Sequence, residues 1–407
     1  MNKVVKQQPK AIIVGGSLGG LFAACMLERH GWDVEIFERT PEALSGRGAG
    51  IVTHPELFEA LTAAGVLVDD GIGVRVDTRV TLARDGAVVS ERAMPQTLTA
   101  WGKMYDVLRK AFSGSYRTGA VVTDVDSRAD HAEIALADGA VHRADLVIAA
   151  DGFRSGVRQR LLPAASLEYA GYIAWRGLVD EARVSAATHA AIFDKFAFCL
   201  PPSEQILGYP VAGDDNRTAP GQRRYNFVWY RATREHDQLP DLLTDATGKV
   251  WHHGIPPGLI RPEVLAEMES AAAELLAPQF TEIVCKAAQP LFQPIFDLTV
   301  SRMAFGRVAL LGDAAFVARP HCGMGVTKAA GDAIALVRAL AGHATVEAAL
   351  AAYGVERVQV GQAVVEHARH LGAYMQAQLK SEQDRVMAER YRTPEAVMRE
   401  TAVSRRF

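Results

Sequence analysis

Ala11-Ile12-Ile13-Val14-Gly15-Gly16-Ser17-Leu18-Gly19-Gly20-Leu21-Phe22-Ala23-Ala24-Cys25-Met26-Leu27 is the stretch that decides the fold. Ala11 to Val14 is a short apolar run of β-branched character and reads as a buried parallel strand. Gly15 to Gly20 form a turn, and Leu21 to Leu27 continue as a helix that stops near Gly31. A second strand, Val34 to Phe37, ends at Glu38-Arg39. Strand, glycine turn, helix, strand and acid is the layout of a dinucleotide-binding βαβ unit. The glycines let the backbone approach a pyrophosphate at the helix N-terminus, and the acid bonds a ribose hydroxyl. The middle position of the glycine pattern is Ser17, which is small enough for close approach and has a hydroxyl that can donate to a phosphate.

Two later stretches repeat the theme. Leu146 to Ala150 is a buried strand running into Asp151-Gly152, followed by a helix start that carries Ser155 and Arg158. Arg307 to Leu311 is another, delivering Gly312-Asp313, and just beyond it come Arg319-Pro320-His321-Cys322-Gly323-Met324-Gly325 and a helix opening near Val326. Ligands of open α/β sheets sit beyond the carboxyl ends of strands. Three such ends carrying Gly or Asp imply one long ligand lying across them.

Composition narrows the class. The chain has 407 residues, 49% hydrophobic and 22% charged, enough to bury a sizeable core without disulfides. Forty-four Lys and Arg against 47 Asp and Glu leave a net charge of −3, so no overall positive field draws it to nucleic acid or anionic lipid. Cys25, Cys199, Cys285 and Cys322 are scattered, with no zinc spacing, so no metal site is expected. Met1 to Lys10 is polar and basic, unlike a signal peptide, and no apolar stretch approaches the ~18 residues of a membrane span. The expectation is a soluble cytoplasmic protein.

As a set, the three motifs resemble the fingerprints of the class A flavoprotein aromatic hydroxylases, the single-component FAD monooxygenases of the para-hydroxybenzoate hydroxylase type, over residues 10 to about 345. Within that family the chain is similar to the 2,6-dihydroxypyridine 3-hydroxylase branch through Gly48 to Val52, Tyr169 to Gly177, Tyr225 to Arg231 and Arg319 to His321. The resemblance implies an α/β fold: a Rossmann-type FAD-binding domain with a parallel sheet, interrupted by an antiparallel-sheet substrate domain, plus C-terminal helices. It implies FAD, NADH or NADPH as transient co-substrate, and O2, with a flavin C4a-hydroperoxide attacking a small hydroxylated aromatic or heteroaromatic ring, such as a hydroxypyridine. It further implies that Gly15, Ser17, Leu18 and Gly20 hold the pyrophosphate and Glu38, with Arg39 beside it, the adenosine ribose. Asp151 would help place FAD and the nicotinamide, and Asp313 would bond the ribityl chain. Pro320, Gly323, Met324 and Gly325 would sit at the flavin ring, with Arg47 a second flavin contact. Family members usually carry an arginine early in the third crossover helix; here Trp101 comes first and Arg109 only later, so Arg109 stays open between flavin and surface.

The expected organisation is residues 10–165 as the first part of the FAD-binding domain, 166–285 as the substrate-binding sheet, 286–345 as the second part of the FAD-binding domain, and 346–407 as a C-terminal helical region. The chain is expected to return to the FAD domain at Phe296 to Val300. Thr393-Pro394 should break the last helix, leaving a loose tail ending Arg405-Arg406-Phe407. The C-terminal helices could pair two copies as a homodimer or cover the FAD domain.

Electrophilic hydroxylation is faster on an ionised ring, so the pocket should stabilise an anion and exclude water. His54 and His321, beside two flavin motifs, are candidates for base or hydrogen-bond partner, against the alternative of bonded bystanders. Tyr172, Tyr209 and Tyr225 lie on predicted substrate-sheet strands, where each could equally pack in a core. Arg176 could pair with a substrate carboxylate or be exposed, and Cys322 reads as packing. Rival functions are a Baeyer–Villiger oxygenase or reductase on the same FAD frame, an NAD(P)-binding dehydrogenase or regulator, and a flavin carrier. The halogenase pattern Trp-x-Trp-x-Ile-Pro is absent.

Overall fold

Every strand end that carries a glycine or acid motif lies at one edge of a single parallel sheet. The computed structural model describes residues 8–42, 44, 50–256, 258–379 and 381–405. The sheet runs in the order Ala304–Phe305, Val308–Leu310, Leu146–Ala149, Lys10–Val14, Asp33–Phe37, Ser115–Arg117. All neighbours are parallel except the hairpin at Ala304–Phe305. Val14 pairs with Ala149 and Ala149 with Leu310, so the three motifs leave the sheet side by side. The strands are apolar because helices cover both faces. Ile12, Ile13, Val147, Ile148, Ala309 and Leu310 are inaccessible to solvent.

A second sheet of eight strands stands against that edge. Its order is Leu291–Asp297, Glu168–Asp180, Arg224–Ala232, Gln205–Val211, Phe196–Cys199, Val74–Leu82, Val88–Ala100, Gly50–Val52. Strand alternation gives it two apolar faces. Tyr225, Phe227, Trp229, Trp175 and Ile206 point outward and pack under the helices Pro262–Leu275 and Pro278–Lys286. Tyr172, Ala174, Leu207, Tyr209, Val228 and Tyr230 point inward. A small antiparallel sheet, Val122–Ser127, Ala132–Leu136 and Val141–Ala144, flanks the parallel one.

Two expectations about organisation change. Leu291–Asp297 pairs with Glu168–Asp180, so the segment containing Phe296 belongs to the large sheet, and the chain rejoins the parallel sheet only at Ala304. The large sheet also recruits Gly50–Val52, Val74–Leu82 and Val88–Ala100 from the N-terminal part. The segment after Thr393 is not loose either. Pro394–Glu400 is helical, capped by the Thr393 hydroxyl, and Thr401 and Ala402 are buried; residues 406–407 lie outside the described residues.

Helices Gly325–Gly342 and Val346–Leu371 are tied to the parallel sheet by one carboxylate. Asp332 is inaccessible to solvent; it accepts the Gly312 amide at 2.8 Å and the Arg357 guanidinium at 2.6 Å. Removing one member strands the other charge in the core. Asp332→Ala should therefore cost about 3–5 kcal/mol, read from urea unfolding midpoints.

Candidate active site

Gly15 has φ +103°, and a Cβ there would stand 2.4 Å from the Ala150 carbonyl oxygen, so only glycine lets the first and second motifs meet. Ser17 precedes the helix Leu18–Arg29, whose first amides lack carbonyls one turn back. Glu38 is buried and accepts the Gly16 amide and the Thr40 amide, each at 2.8 Å. The Tyr116 hydroxyl donates to the Gly16 carbonyl at 2.9 Å, and the Arg109 guanidinium stacks 4.7 Å from the Tyr116 ring centre. Arg109 thus supports the turn through Tyr116 and does not line the cavity described below. Trp101, stacked on Tyr105 at 5.2 Å, does line it. Arg39 is exposed, and Arg47 lies outside the described residues.

The other two motifs are bridged by a residue whose role sequence reading missed. The Arg158 guanidinium donates to the Phe153 carbonyl at 2.7 Å, the Ala314 carbonyl at 3.2 Å and the Asp313 carbonyl at 3.4 Å. Burial raises the Asp151 carboxyl above its ordinary value, and its Oδ1 is buried without a protein partner. Asp313 forms an ion pair with the buried Lys328, which also donates to the Phe316 carbonyl at 2.9 Å. Lys328 sits one helical turn after Met324, a spacing that could have revealed it.

Between the two sheets lies a cavity of about 400 Å³. Its parallel-sheet end is lined by Ser17, Leu18, Gly19, Asp313, Lys328 and Gly325. Pro320 and Gly323 stand midway, and the far end is the inner face of the large sheet, with Phe196, Leu207, Tyr209, Val228 and Tyr230. The one guanidinium there among the described residues is Arg176, whose Nη1 donates to Gln293 at 3.2 Å and whose buried Nε has no protein partner. Burial pushes the Tyr209 hydroxyl up to about 12 and that of Tyr230 higher still, with Arg176 opposing both. A long ligand with an anionic middle and a flat end fits this shape. The glycine turns would hold its phosphates, the orphaned Asp151 oxygen awaits a donor, and the apolar face would receive a ring.

Four of the five expected catalytic side chains lie off the cavity. Tyr225 points outward because it is an odd number of residues from Tyr230; its ring packs against Gly208 and its hydroxyl is buried without a partner. Tyr172 and His321 are buried and do not line the cavity; the Tyr172 hydroxyl lies 2.7 Å from His321 Nε2. His54 Nδ1 bonds the Thr327 hydroxyl at 3.0 Å and faces a separate cavity. Tyr209 alone of the five lines the main one.

A profile for the FAD binding domain matches residues 8–196 and 290–368, and one for an FAD binding domain-like unit matches 169–297. The chain belongs to the FAD-binding monooxygenase family, the class A flavoprotein aromatic hydroxylases. Its relatives in that family include a 2,6-dihydroxypyridine 3-monooxygenase of Paenarthrobacter nicotinovorans, 34% identical over 78% of this chain and 79% of the relative. A 6-hydroxynicotinate 3-monooxygenase of Bordetella bronchiseptica is 26% identical over 79% and 80%. The solved 2,6-dihydroxypyridine-3-hydroxylase of Arthrobacter nicotinovorans superposes with a TM-score of 0.85 at 31% identity, covering 91% of this chain and 93% of that one. As a family member the chain is an FAD-binding aromatic hydroxylase with the α/β architecture expected from its motifs. No described helix is long and apolar enough to cross a membrane.

Burial lowers the His54 imidazole to about 4 and that of His321 to about 3. Both fall below the ordinary value of about 6.5, so the unfolded chain takes up protons first. Their contribution to stability is complete above about pH 6.5 and is lost as pH falls toward the folded values. Urea unfolding between pH 7 and pH 5 should show stability falling, and His54→Gln and His321→Gln should each flatten that slope by up to about 1.4 kcal/mol per pH unit.

Proposed function

We propose that this chain hydroxylates a small, electron-rich hydroxylated heteroaromatic ring of the hydroxypyridine class, using O2 and electrons from NADH or NADPH. The observation that carries the reading is the cavity itself. A nucleotide-type cradle at Ser17–Gly19 and Asp313 continues into an apolar chamber whose charged group is Arg176. Two relatives that act on hydroxylated pyridine rings support the choice of ring.

Bound FAD supplies the electron transfer and oxygen activation. The chain's own work is to hold FAD, to orient the ring, to favour its anion and to exclude water. Glu38 would take the adenosine ribose and the amides after Ser17 the pyrophosphate, with Asp313, anchored by Lys328, at the ribityl chain. Gly323 and Gly325, with Pro320, would border the flavin ring. Phe196, Leu207 and Val228 would cover the substrate ring, and Tyr209 or Tyr230 would hydrogen-bond its oxygen. With hydroxyls held up by burial, both tyrosines stay protonated at neutral pH and can donate. A guanidinium nearby favours the ionised substrate, and lowering a ring hydroxyl by one pKa unit needs only about 1.4 kcal/mol.

The test is NAD(P)H oxidation by the flavoprotein with a panel of hydroxypyridines and phenols, following product and peroxide together. The reading expects a hydroxypyridine to stimulate oxidation and to be recovered hydroxylated. Stimulation by no ring, with flavin bound, would overturn it. Arg176→Met should raise KM by roughly tenfold and move the acid limb of the pH–rate profile up by about one unit, with Arg176→Lys recovering part of both. Glu38→Ala should weaken FAD binding by roughly tenfold or more, measured by titrating the apoprotein.

A further inference from the structure

Arg79 sits on Val74–Leu82 with no solvent exposure, and among the described residues it makes no ion pair. Its guanidinium is spent on carbonyls. Nη1 donates to Met398 at 2.9 Å and to Thr401 at 2.6 Å, while Nη2 donates to Ala402 at 3.3 Å and to the Gln96 side chain at 2.6 Å. These carbonyls end the helix Pro394–Glu400, where the negative pole of the backbone dipoles lies. The Gln96 amide in turn donates to the carbonyls of Ala402 at 3.0 Å and Thr53 at 3.3 Å. Held this way, Ala402 adopts φ +56°, a strained conformation for a residue with a Cβ, and its amide donates to the His321 carbonyl at 2.7 Å.

The position of this segment gives the arrangement a use. Thr401 and Ala402 line the main cavity, and Ala402 also lines the second cavity, of about 410 Å³, bordered by Thr53, His54, Gln96 and Ser404. On its other side the Arg79 guanidinium stacks 4.7 Å from the ring of Phe196, which lines the main cavity.

We propose that Arg79 is a positioning residue that pins Met398–Ala402 as the wall between the two cavities, and so keeps water from the chamber beside the flavin. The proposal rests on the reading that FAD occupies the main cavity. A buried guanidinium without a carboxylate is a costly way to fasten a chain segment, and aliphatic packing would serve a merely structural contact better. What the guanidinium adds is simultaneous grip on three carbonyls in fixed geometry, which a lysine cannot reproduce.

The experiment compares wild-type holoprotein with Arg79→Lys and Gln96→Leu, full chain, FAD bound and stoichiometric. Trypsin cleavage at Arg399 and Arg405 should quicken by about tenfold in Arg79→Lys, the equivalent of one charge-assisted hydrogen bond lost from the closed state. Quenching of the bound flavin's fluorescence by iodide should rise by about twofold or more, and Gln96→Leu should move both readouts the same way by less. If Arg79→Lys fails to fold, Gln96→Leu alone decides by the same two readouts. Faster cleavage with unchanged quenching would overturn the proposal, because the segment would then be loose without being a wall. Unchanged cleavage would overturn it too, because Arg79 would not be the pin. Leu207→Trp checks the location of the flavin separately. An indole there quenches the emission of a flavin in the cavity, and unquenched emission with FAD bound would count against the site instead.

Discussion

The parallel register of three strands is the constraint on which the rest of the structure depends. Because Val14, Ala149 and Leu310 are level, the turns that follow them meet at one edge, and they meet closely enough that Gly15 tolerates no side chain against Ala150. A slip of one residue in any pair would displace one turn from its neighbour by about 3.3 Å and part the motifs. The contacts around that edge read as reinforcement of it. Arg158 ties the second turn to the third, Asp332 fixes the Gly312 amide, and Tyr116 fixes the Gly16 carbonyl. A long ligand lying across three turns would be positioned only as well as they are held relative to one another.

Charge placement divides the cavity into two ends. Toward the parallel sheet, glycine turns and the Asp313–Lys328 pair make an environment suited to phosphates and sugar hydroxyls. Toward the large sheet, apolar side chains surround one guanidinium and two protonated tyrosines. An isolated cation in an apolar chamber acts more strongly on a ring oxygen than it would in water. The same dryness that strengthens it is needed to protect a reactive oxygen donor.

The three turns at the parallel-sheet end of the cavity were legible in the sequence because they are encoded locally. Val14-Gly15, Asp151-Gly152 and Gly312-Asp313 are each a strand end and its turn, and strand ends are read from contiguous residues. The large-sheet end is encoded in parity and in long-range burial, which are harder to read. Tyr225 and Tyr230 lie on one strand five residues apart and therefore on opposite faces, but sequence alone does not say which face is inward. His54 and His321 adjoin loops expected to face the flavin yet turn into the protein, where Thr327 and Tyr172 bond them. The segment after Thr393 looked like a tail because its anchor, Arg79, is more than three hundred residues away in the chain.

The order in which the chain supplies its strands has a consequence for synthesis. The large sheet draws on three separate stretches, 50–100, 168–232 and 291–297, while the parallel sheet lacks Val308–Leu310 until after the last of these. During translation Lys10–Val14 and Leu146–Ala149 can pair early, but the open edge of Leu146–Ala149 waits through some 160 further residues for its neighbour. An unpaired, wholly apolar strand edge is a template for misassociation, and topology of this kind folds slowly. The nascent chain therefore carries its greatest aggregation hazard when the large sheet is already complete, and the hazard ends only when Val308–Leu310 docks.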